Sequence, residues 1–179
     1  MGIRRVVTGH TPDGSAVVAS DETIEPVTSP FAPGSELYGL WGGDETPLFP
    51  DRGERPPSTT WFPPVGGYRF GVFVVPPSSA PPPDLSGIDV EAALAVFDAA
   101  VPGLRDHMEP DSPGMHTSDT IDYEYVISGR CVLEFDDGVT VELGPGDTVV
   151  QNGTRHAWRN PFDEPCRMVV VLVGAHRQS

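Results

Sequence analysis

The second half of the chain alternates apolar and polar residues in short stretches, a pattern that predicts β-strands. Turn signals separate these stretches. Asp137-Gly138 is typical of a two-residue hairpin, and Pro145-Gly146 fits a type II turn in which the glycine takes a positive φ. Several short strands joined by tight turns predict an antiparallel sandwich or barrel. The six predicted strands cover residues 121–127, 130–135, 139–143, 148–150, 155–159 and 166–173.

The first half of the chain is predicted to add strands and long loops. Asp13-Gly14 lies between two β-type runs and predicts an N-terminal hairpin. Fourteen of the twenty-one prolines fall within residues 26–83, which excludes a continuous helix there. Within that range, residues 36–41 and 68–75 remain strand candidates because they are rich in apolar and aromatic residues. Residues 42–67 between them predict a long irregular loop.

Two aromatic residues of this loop, Trp61 and Phe62, are costly to leave in water. We therefore expect the loop to pack on the barrel, as a lid or as a contact with a partner. A helix is predicted over residues 89–101, where Val90, Leu94, Phe97 and Val101 recur at helical spacing. We expect this helix to lie outside the barrel.

One predicted strand has an unusual polar face. Residues of equal parity share a face of a strand, so Asp122 and Glu124 lie on the same side, and His116 joins them if the extended chain reaches back. His156 joins only if the later strand folds back across the same opening. Such a face looks either at water or into a polar pocket. If both carboxyls are buried, they cannot both ionise easily, and the raised pKa of one suits acid–base work.

The spacing of several histidines, carboxylates and glycines in the second half of the chain resembles the motifs of a known family. The first motif of the small cupins is a histidine, any residue, a second histidine, three or four residues, a glutamate, six residues and a glycine. Here His116 stands first, Ser118 takes the place of the second histidine, Asp122 that of the glutamate, and Gly129 that of the glycine. The stretch therefore resembles the small cupins, the double-stranded β-helix family.

The second cupin motif runs from a glycine to a histidine and, four residues on, to an asparagine. In this chain Gly146 opens it, Gly153 precedes His156, and Asn160 closes it. The proline of the family's second motif is absent, and the leading glycine of the first motif is replaced by Pro110.

The resemblance implies an all-β fold, an antiparallel double-stranded β-helix (cupin) barrel with an N-terminal strand and loop extension and one outer helix. We expect residues 1–179 to form a single cupin domain. Residues 113–174 would be its core with both motifs. Residues 1–112 would supply strands, proline-rich loops and the helix that complete the barrel.

The resemblance also implies a divalent metal (iron, manganese, zinc or nickel), which cupins usually hold with three histidines and a glutamate. Ser118 is a poor ligand, so His116, Asp122 and His156 are the predicted ligands. Two histidines and a carboxylate form the facial triad suited to non-haem Fe(II). The alternative is a metal-free pocket in which both histidines are only hydrogen-bonded.

The predicted function is that of a cupin-type enzyme acting on a small-molecule substrate, a small and partly apolar organic acid or an aromatic or polyketide-like compound. The reaction would be that of a lyase, isomerase or decarboxylase, or of a non-haem metal dioxygenase. The predicted catalytic residues are His116, Asp122, Glu124 and His156. A module that binds a ligand or a metal without turnover is the alternative.

The charge and composition of the chain disfavour some classes of binding partner and of chemistry. The net charge of −15 disfavours nucleic acid and anionic membranes as partners. Every basic residue is an arginine, which excludes a Schiff base on lysine.

Cys131 and Cys166 are expected to be reduced core residues. The chain shows no apolar run of the length that a signal peptide or a membrane span needs, so we expect a cytoplasmic protein. Because small cupins are commonly dimers, the resemblance implies a homodimer.

Overall fold

The computed structural model describes residues 1–178. Ten strands and one α-helix follow one another along the chain, and each pair of neighbouring strands is antiparallel. The elements are β1 (Ile3–His10), β2 (Ala16–Ile24), β3 (Glu36–Gly43), β4 (Tyr68–Val75), α1 (Val90–Ala100), β5 (Thr120–Ser128), β6 (Cys131–Glu134), β7 (Thr140–Leu143), β8 (Thr148–Gln151), β9 (Ala157–Arg159) and β10 (Cys166–Gly174).

Two sheets enclose the core. The larger sheet has the order β3-β4-β10-β5-β8, and the smaller has the order β7-β6-β9. Val126 and Met168 from the larger sheet pack with Cys131, Leu133 and Leu143 from the smaller one, and all five are buried. The predicted all-β antiparallel barrel is confirmed. Strands β3 and β4, from the first half of the chain, belong to the same sheet as β5 and β10.

The N-terminal hairpin covers the outside of the larger sheet. It consists of β1 and β2, as Asp13-Gly14 predicts. Ile3 and Ile24 of the hairpin pack against Tyr38 and Val72, which form a second apolar cluster on the side of the sheet turned away from the barrel core. This layer explains why strands β3 and β4 are apolar on both faces.

The helix and the tight turns agree with the sequence. Helix α1 begins after Asp89, whose carboxylate accepts a hydrogen bond from Ala92 N at 3.0 Å, a standard N-cap. Its residues are all exposed or half-buried, so it lies outside the barrel. Asp137 and Gly138 both have positive φ (56° and 71°), and Gly146 has a φ of 95°. Among residues 1–178, no helix has the length and apolar character needed to cross a membrane.

The long loop between β3 and β4 packs on the barrel. Arg69 fastens it by donating hydrogen bonds to Gly43 O at 2.8 Å and Thr60 O at 2.6 Å and by pairing with Asp44. Trp61 N donates to the carbonyl of Pro102 at 2.7 Å. The expectation that the aromatic part of the loop contacts the barrel is confirmed, while its role as a lid stays a prediction.

Candidate functional site

Strand β5 places two carboxyl groups inside the barrel. Asp122 and Glu124 are 3% and 6% exposed, whereas Tyr123 and Tyr125 between and beyond them are 50% and 45% exposed. The alternation follows from the two-residue period of a strand. Of the two alternatives for this face, a solvated surface is wrong, and a polar pocket stays a prediction.

Both carboxyl groups are buried, and each has one oxygen that no hydrogen bond from the described part of the chain satisfies. Oδ1 of Asp122 and Oε2 of Glu124 lack a hydrogen-bond partner among residues 1–178. Burial raises the pKa of Asp122 to about 6, against a small opposing effect of a hydrogen bond with Thr120. Burial, and then the charge of Asp122, raise the pKa of Glu124 to about 8. Near neutral pH, Asp122 is therefore ionised and Glu124 is protonated.

The two motif histidines meet through their backbones and their rings. His116 N donates to His156 O at 2.9 Å, and His156 N donates to His116 O at 3.0 Å. The ring centroids are 4.2 Å apart. The two histidines therefore lie side by side, whereas their approach to Asp122 and Glu124 stays a prediction.

Hydrogen bonds to the backbone decide which nitrogen of each ring carries the proton. Nδ1 of His116 lies 3.1 Å from Gly114 O, and Nδ1 of His156 lies 2.9 Å from Thr154 O. A carbonyl only accepts, so each Nδ1 carries a hydrogen and each Nε2 keeps its lone pair. Burial lowers the pKa of both histidines. The pKa of His156 falls to about 4, with a further contribution from the charge of His116.

A glutamine that the sequence analysis missed connects the carboxyl strand with the histidines. Gln151 is buried and pairs with Asp122 across β5 and β8. Its Nε2 donates to Thr154 O at 3.3 Å, the same carbonyl that accepts from His156. Its position at the inward end of a predicted strand was the available signal. Gln151 therefore links β8, the neighbour of the carboxyl strand, to the carbonyl that accepts from His156.

The predicted metal ligands are not brought together as a set. Within residues 1–178, no group of three or more His, Cys, Asp or Glu side chains is placed to hold a metal ion. His116 and His156 meet, but Asp122 does not complete the group. At the place of the second histidine, Ser118 is buried and hydrogen-bonds to Thr120 Oγ1 at 2.8 Å. Cupins often bind metals, but the donors as arranged here do not fit one. The ligand role of these residues stays a prediction.

Residues next to the histidines have structural roles. Arg155 pairs with Glu109 and Asp136, and Arg159 pairs with Glu134, which ties the histidine segments to the barrel surface. Trp158 packs against Phe73 with ring centroids 5.7 Å apart. Cys131 and Cys166 are buried free thiols, as predicted.

A cavity of about 430 Å³ lies on the larger sheet, and neither Asp122 nor Glu124 lines it. It lies between the long loop, the C-terminal end of α1 and the larger sheet. Val170 and Leu172 of β10 form one wall, and their neighbours on β5 are Glu124 and Asp122. Because paired residues of neighbouring strands share a face, this wall is continuous with the side of the sheet that carries the carboxyls.

Comparisons with known proteins agree with this architecture. Residues 105–172 match a family model described as "Cupin domain". "Phomopsin biosynthesis cluster protein D" of Diaporthe leptostromiformis is 46% identical over 62 residues, which are 34% of this chain and 33% of that protein. "Cupin-domain-containing oxidoreductase fogC" of Aspergillus ruber is 33% identical over 88 residues, 48% of this chain and 43% of that protein. The matches thus span about a third to less than half of these relatives.

A solved structure is also similar to this chain. It is a Cupin 2 conserved barrel domain protein from Salinispora arenicola CNS-205, 18% identical with a TM-score of 0.44, and the match covers 87% of this chain and 92% of that one.

Proposed function

We propose that this protein, in which residues 105–172 are a cupin domain, is an enzyme that performs acid–base chemistry on a small, partly apolar organic acid. The reaction class is that of a lyase, an isomerase or a decarboxylase. The observation that carries the proposal is the pair Asp122 and Glu124, two buried carboxyls with unpartnered oxygens on one face of β5. Buried titratable groups whose pKa values are driven apart are typical of active sites.

The two carboxyls divide the work between them. Between pH values of about 6 and about 8, the pKa values leave Asp122 ionised and Glu124 protonated. Asp122 Oδ1 accepts a proton from the carbon next to a carbonyl or carboxyl group of the substrate. Glu124 donates a proton to the substrate oxygen on which negative charge develops or which leaves.

The histidines act as secondary proton carriers. Both are neutral near pH 7 because burial lowers their pKa values. Their Nε2 atoms hold lone pairs, since each Nδ1 donates to a backbone carbonyl. His116 or His156 can therefore accept a proton at Nε2 and release it again, while Gln151 and Thr154 hold His156 in place.

A metal-dependent dioxygenase is the second candidate. The similarity to a relative named as an oxidoreductase favours it. A divalent metal bound here would supply Lewis-acid or redox chemistry. Metal analysis of protein purified without a chelator separates the candidates. A near-stoichiometric metal favours the dioxygenase. Trace metal together with proton exchange that survives a chelator favours the acid–base enzyme.

Proton exchange with solvent tests the proposal. The protein is incubated in D₂O at neutral pH with 2-oxo, 2-hydroxy and 3-hydroxy acids that carry an aromatic or branched alkyl group. Loss of the signal of the hydrogen next to the carboxyl or keto group is followed by proton NMR. We expect exchange above the buffer rate, which Glu124→Gln and Asp122→Asn abolish. Glu91→Gln, on the exposed first turn of α1, is the matched control and should leave the rate unchanged.

Two outcomes contradict the proposal. Exchange that persists in both site variants would place the chemistry elsewhere. Absence of exchange with every acid, while the same acids still raise the melting temperature, would identify a binding module without turnover.

A further inference from the structure

Two glycines lie at the floor of the cavity on the larger sheet. Gly39 and Gly71 face each other across β3 and β4. A Cβ at Gly39 would have one atom within 4 Å, Arg55 Nη2 at 3.8 Å. The guanidinium of Arg55 therefore lies directly above an open patch of sheet, where Nη2 makes a long hydrogen bond of 3.4 Å to Gly39 O. The cavity volume falls within the range of about 300 to 1,000 Å³ that is typical of ligand pockets.

Arg55 differs from most arginines of this acidic chain. Nine of the eleven arginines form ion pairs with carboxylates. In the part of the chain that the structure describes, Arg52 and Arg55 do not. Arg69, the other arginine of the cavity, is occupied by Asp44 and by backbone carbonyls of the loop. The guanidinium of Arg55 thus retains donors that can bind a planar anion in a two-pronged manner.

The remaining walls favour a ligand with an apolar body. Trp61 and Phe70 line the cavity, together with Val170 and Leu172 of β10. The cavity has one carboxylate, that of the exposed Glu25, which makes no ion pair with Arg55 among the described residues. One arginine without an ion pair within residues 1–178, aromatic side chains and the open space above Gly39 match a small acid that carries an aromatic or branched apolar group.

We propose that Arg55 binds the carboxylate of the substrate and is a specificity-determining residue of this protein. The acid group lies over Gly39, and the apolar body extends between Trp61 and the β10 wall, whose neighbours on β5 are Asp122 and Glu124. This inference rests on the proposed acid–base function, because it assigns the substrate of that site.

Matched pairs of acids and amides test the inference by binding alone. Calorimetry measures the affinity for cinnamate, phenylacetate and indole-3-acetate against the amide of each, which has the same shape without the charge. We expect the wild-type protein to prefer the acid of at least one pair, and Arg55→Gln to reduce that preference by about ten- to a hundredfold, the usual effect of losing a charged hydrogen-bond donor. Arg52→Gln, in the same loop and also without an ion pair, is the control and should keep the preference.

Two further variants separate charge from shape. Gly39→Ala keeps Arg55 but fills the floor, and since its Cβ meets only an ordinary contact at 3.8 Å, it should weaken the acid and the amide alike without loss of folding. Glu25→Gln removes the opposing charge and should strengthen binding of the acid only. The inference is overturned if no pair shows an acid preference, or if Arg55→Gln and Arg52→Gln have the same effect.

Failure of this inference can be distinguished from failure of the proposed function. Glu124→Gln removes the proposed general acid but leaves Arg55 in place, so it should keep the acid preference. An acid preference without proton exchange would overturn the proposed function, but the role of Arg55 in binding the carboxylate would stand. Proton exchange that Arg55→Gln leaves unchanged in both KM and kcat would overturn that role of Arg55, but the proposed function would stand.

Discussion

Replacing Glu124 by glutamine should change how the stability of the protein depends on pH. The folded chain holds the proton of Glu124 up to a pKa of about 8, whereas the usual value is 4.5. Between these two values the unfolded chain has released its proton and the folded chain has not. Ionisation therefore favours the unfolded state, and the contribution of Glu124 to stability is lost as the pH rises through this window.

The contribution of Glu124 to the free energy of unfolding is best measured between pH 6.5 and 8. The pKa of Asp122 is about 6, and the pKa values of both histidines are lowered from 6.5, so their contributions change mainly below this range. One proton changes the free energy of unfolding by about 1.36 kcal/mol per pH unit. Because half of the Glu124 side chains have ionised by pH 8, the wild-type protein should lose about 1.6 kcal/mol relative to Glu124→Gln over this range.

Urea unfolding followed by tryptophan fluorescence provides the assay. Wild type, Glu124→Gln and the surface control Glu91→Gln are measured at intervals from pH 6.5 to 8. The difference between wild type and Glu124→Gln should widen by about 1.6 kcal/mol, while wild type and Glu91→Gln should run in parallel. If wild type and Glu124→Gln also ran in parallel, Glu124 would ionise normally, and its role as a general acid would be refuted.

Three further predictions follow from the site and its surroundings. Asp122→Asn should lower the pKa of Glu124, because the charge of Asp122 raises it; carbon NMR of the labelled carboxyl measures this, and an unchanged pKa would show that the two groups do not interact. His116 and His156 should both appear in nitrogen NMR at pH 7 as neutral rings protonated at Nδ1; a signal for protonated Nε2 would contradict the hydrogen bonds to Gly114 O and Thr154 O. In the predicted homodimer, we expect a second copy to cover the exposed outer face of β5, so Tyr125→Glu should give a monomer in light scattering, and a monomeric wild-type protein would refute this.

The sequence predicted the elements whose cause is local. Asp137-Gly138 and Gly146 adopt the expected turns because only residues that tolerate a positive φ fit there. The inward direction of Asp122 and Glu124 follows from strand parity alone, once the exposed side is occupied by Tyr123. Such features depend on a few neighbouring residues, so they can be read from the chain.

Features that depend on contacts between distant segments were not predicted. The hydrogen bonds of Gln151 and His156 to one carbonyl require the register between β5 and β8, which the pattern leaves open. The cavity beneath Arg55 lies between the long loop, the end of α1 and the larger sheet, segments that are distant in the sequence. The metal site was predicted from motif spacing, but whether Asp122 joins the histidines depends on side-chain positions across the barrel.

The pH profile of proton exchange tests the central claim most directly. Exchange requires Asp122 ionised and Glu124 protonated, so the rate should be bell-shaped, rising with a pKa of about 6 and falling with a pKa of about 8. Asp122→Asn and Glu124→Gln should each abolish the exchange. A rate that reaches its plateau near pH 4 and stays level through pH 9 would contradict the account, because it would mean that neither carboxyl of β5 takes part in the reaction.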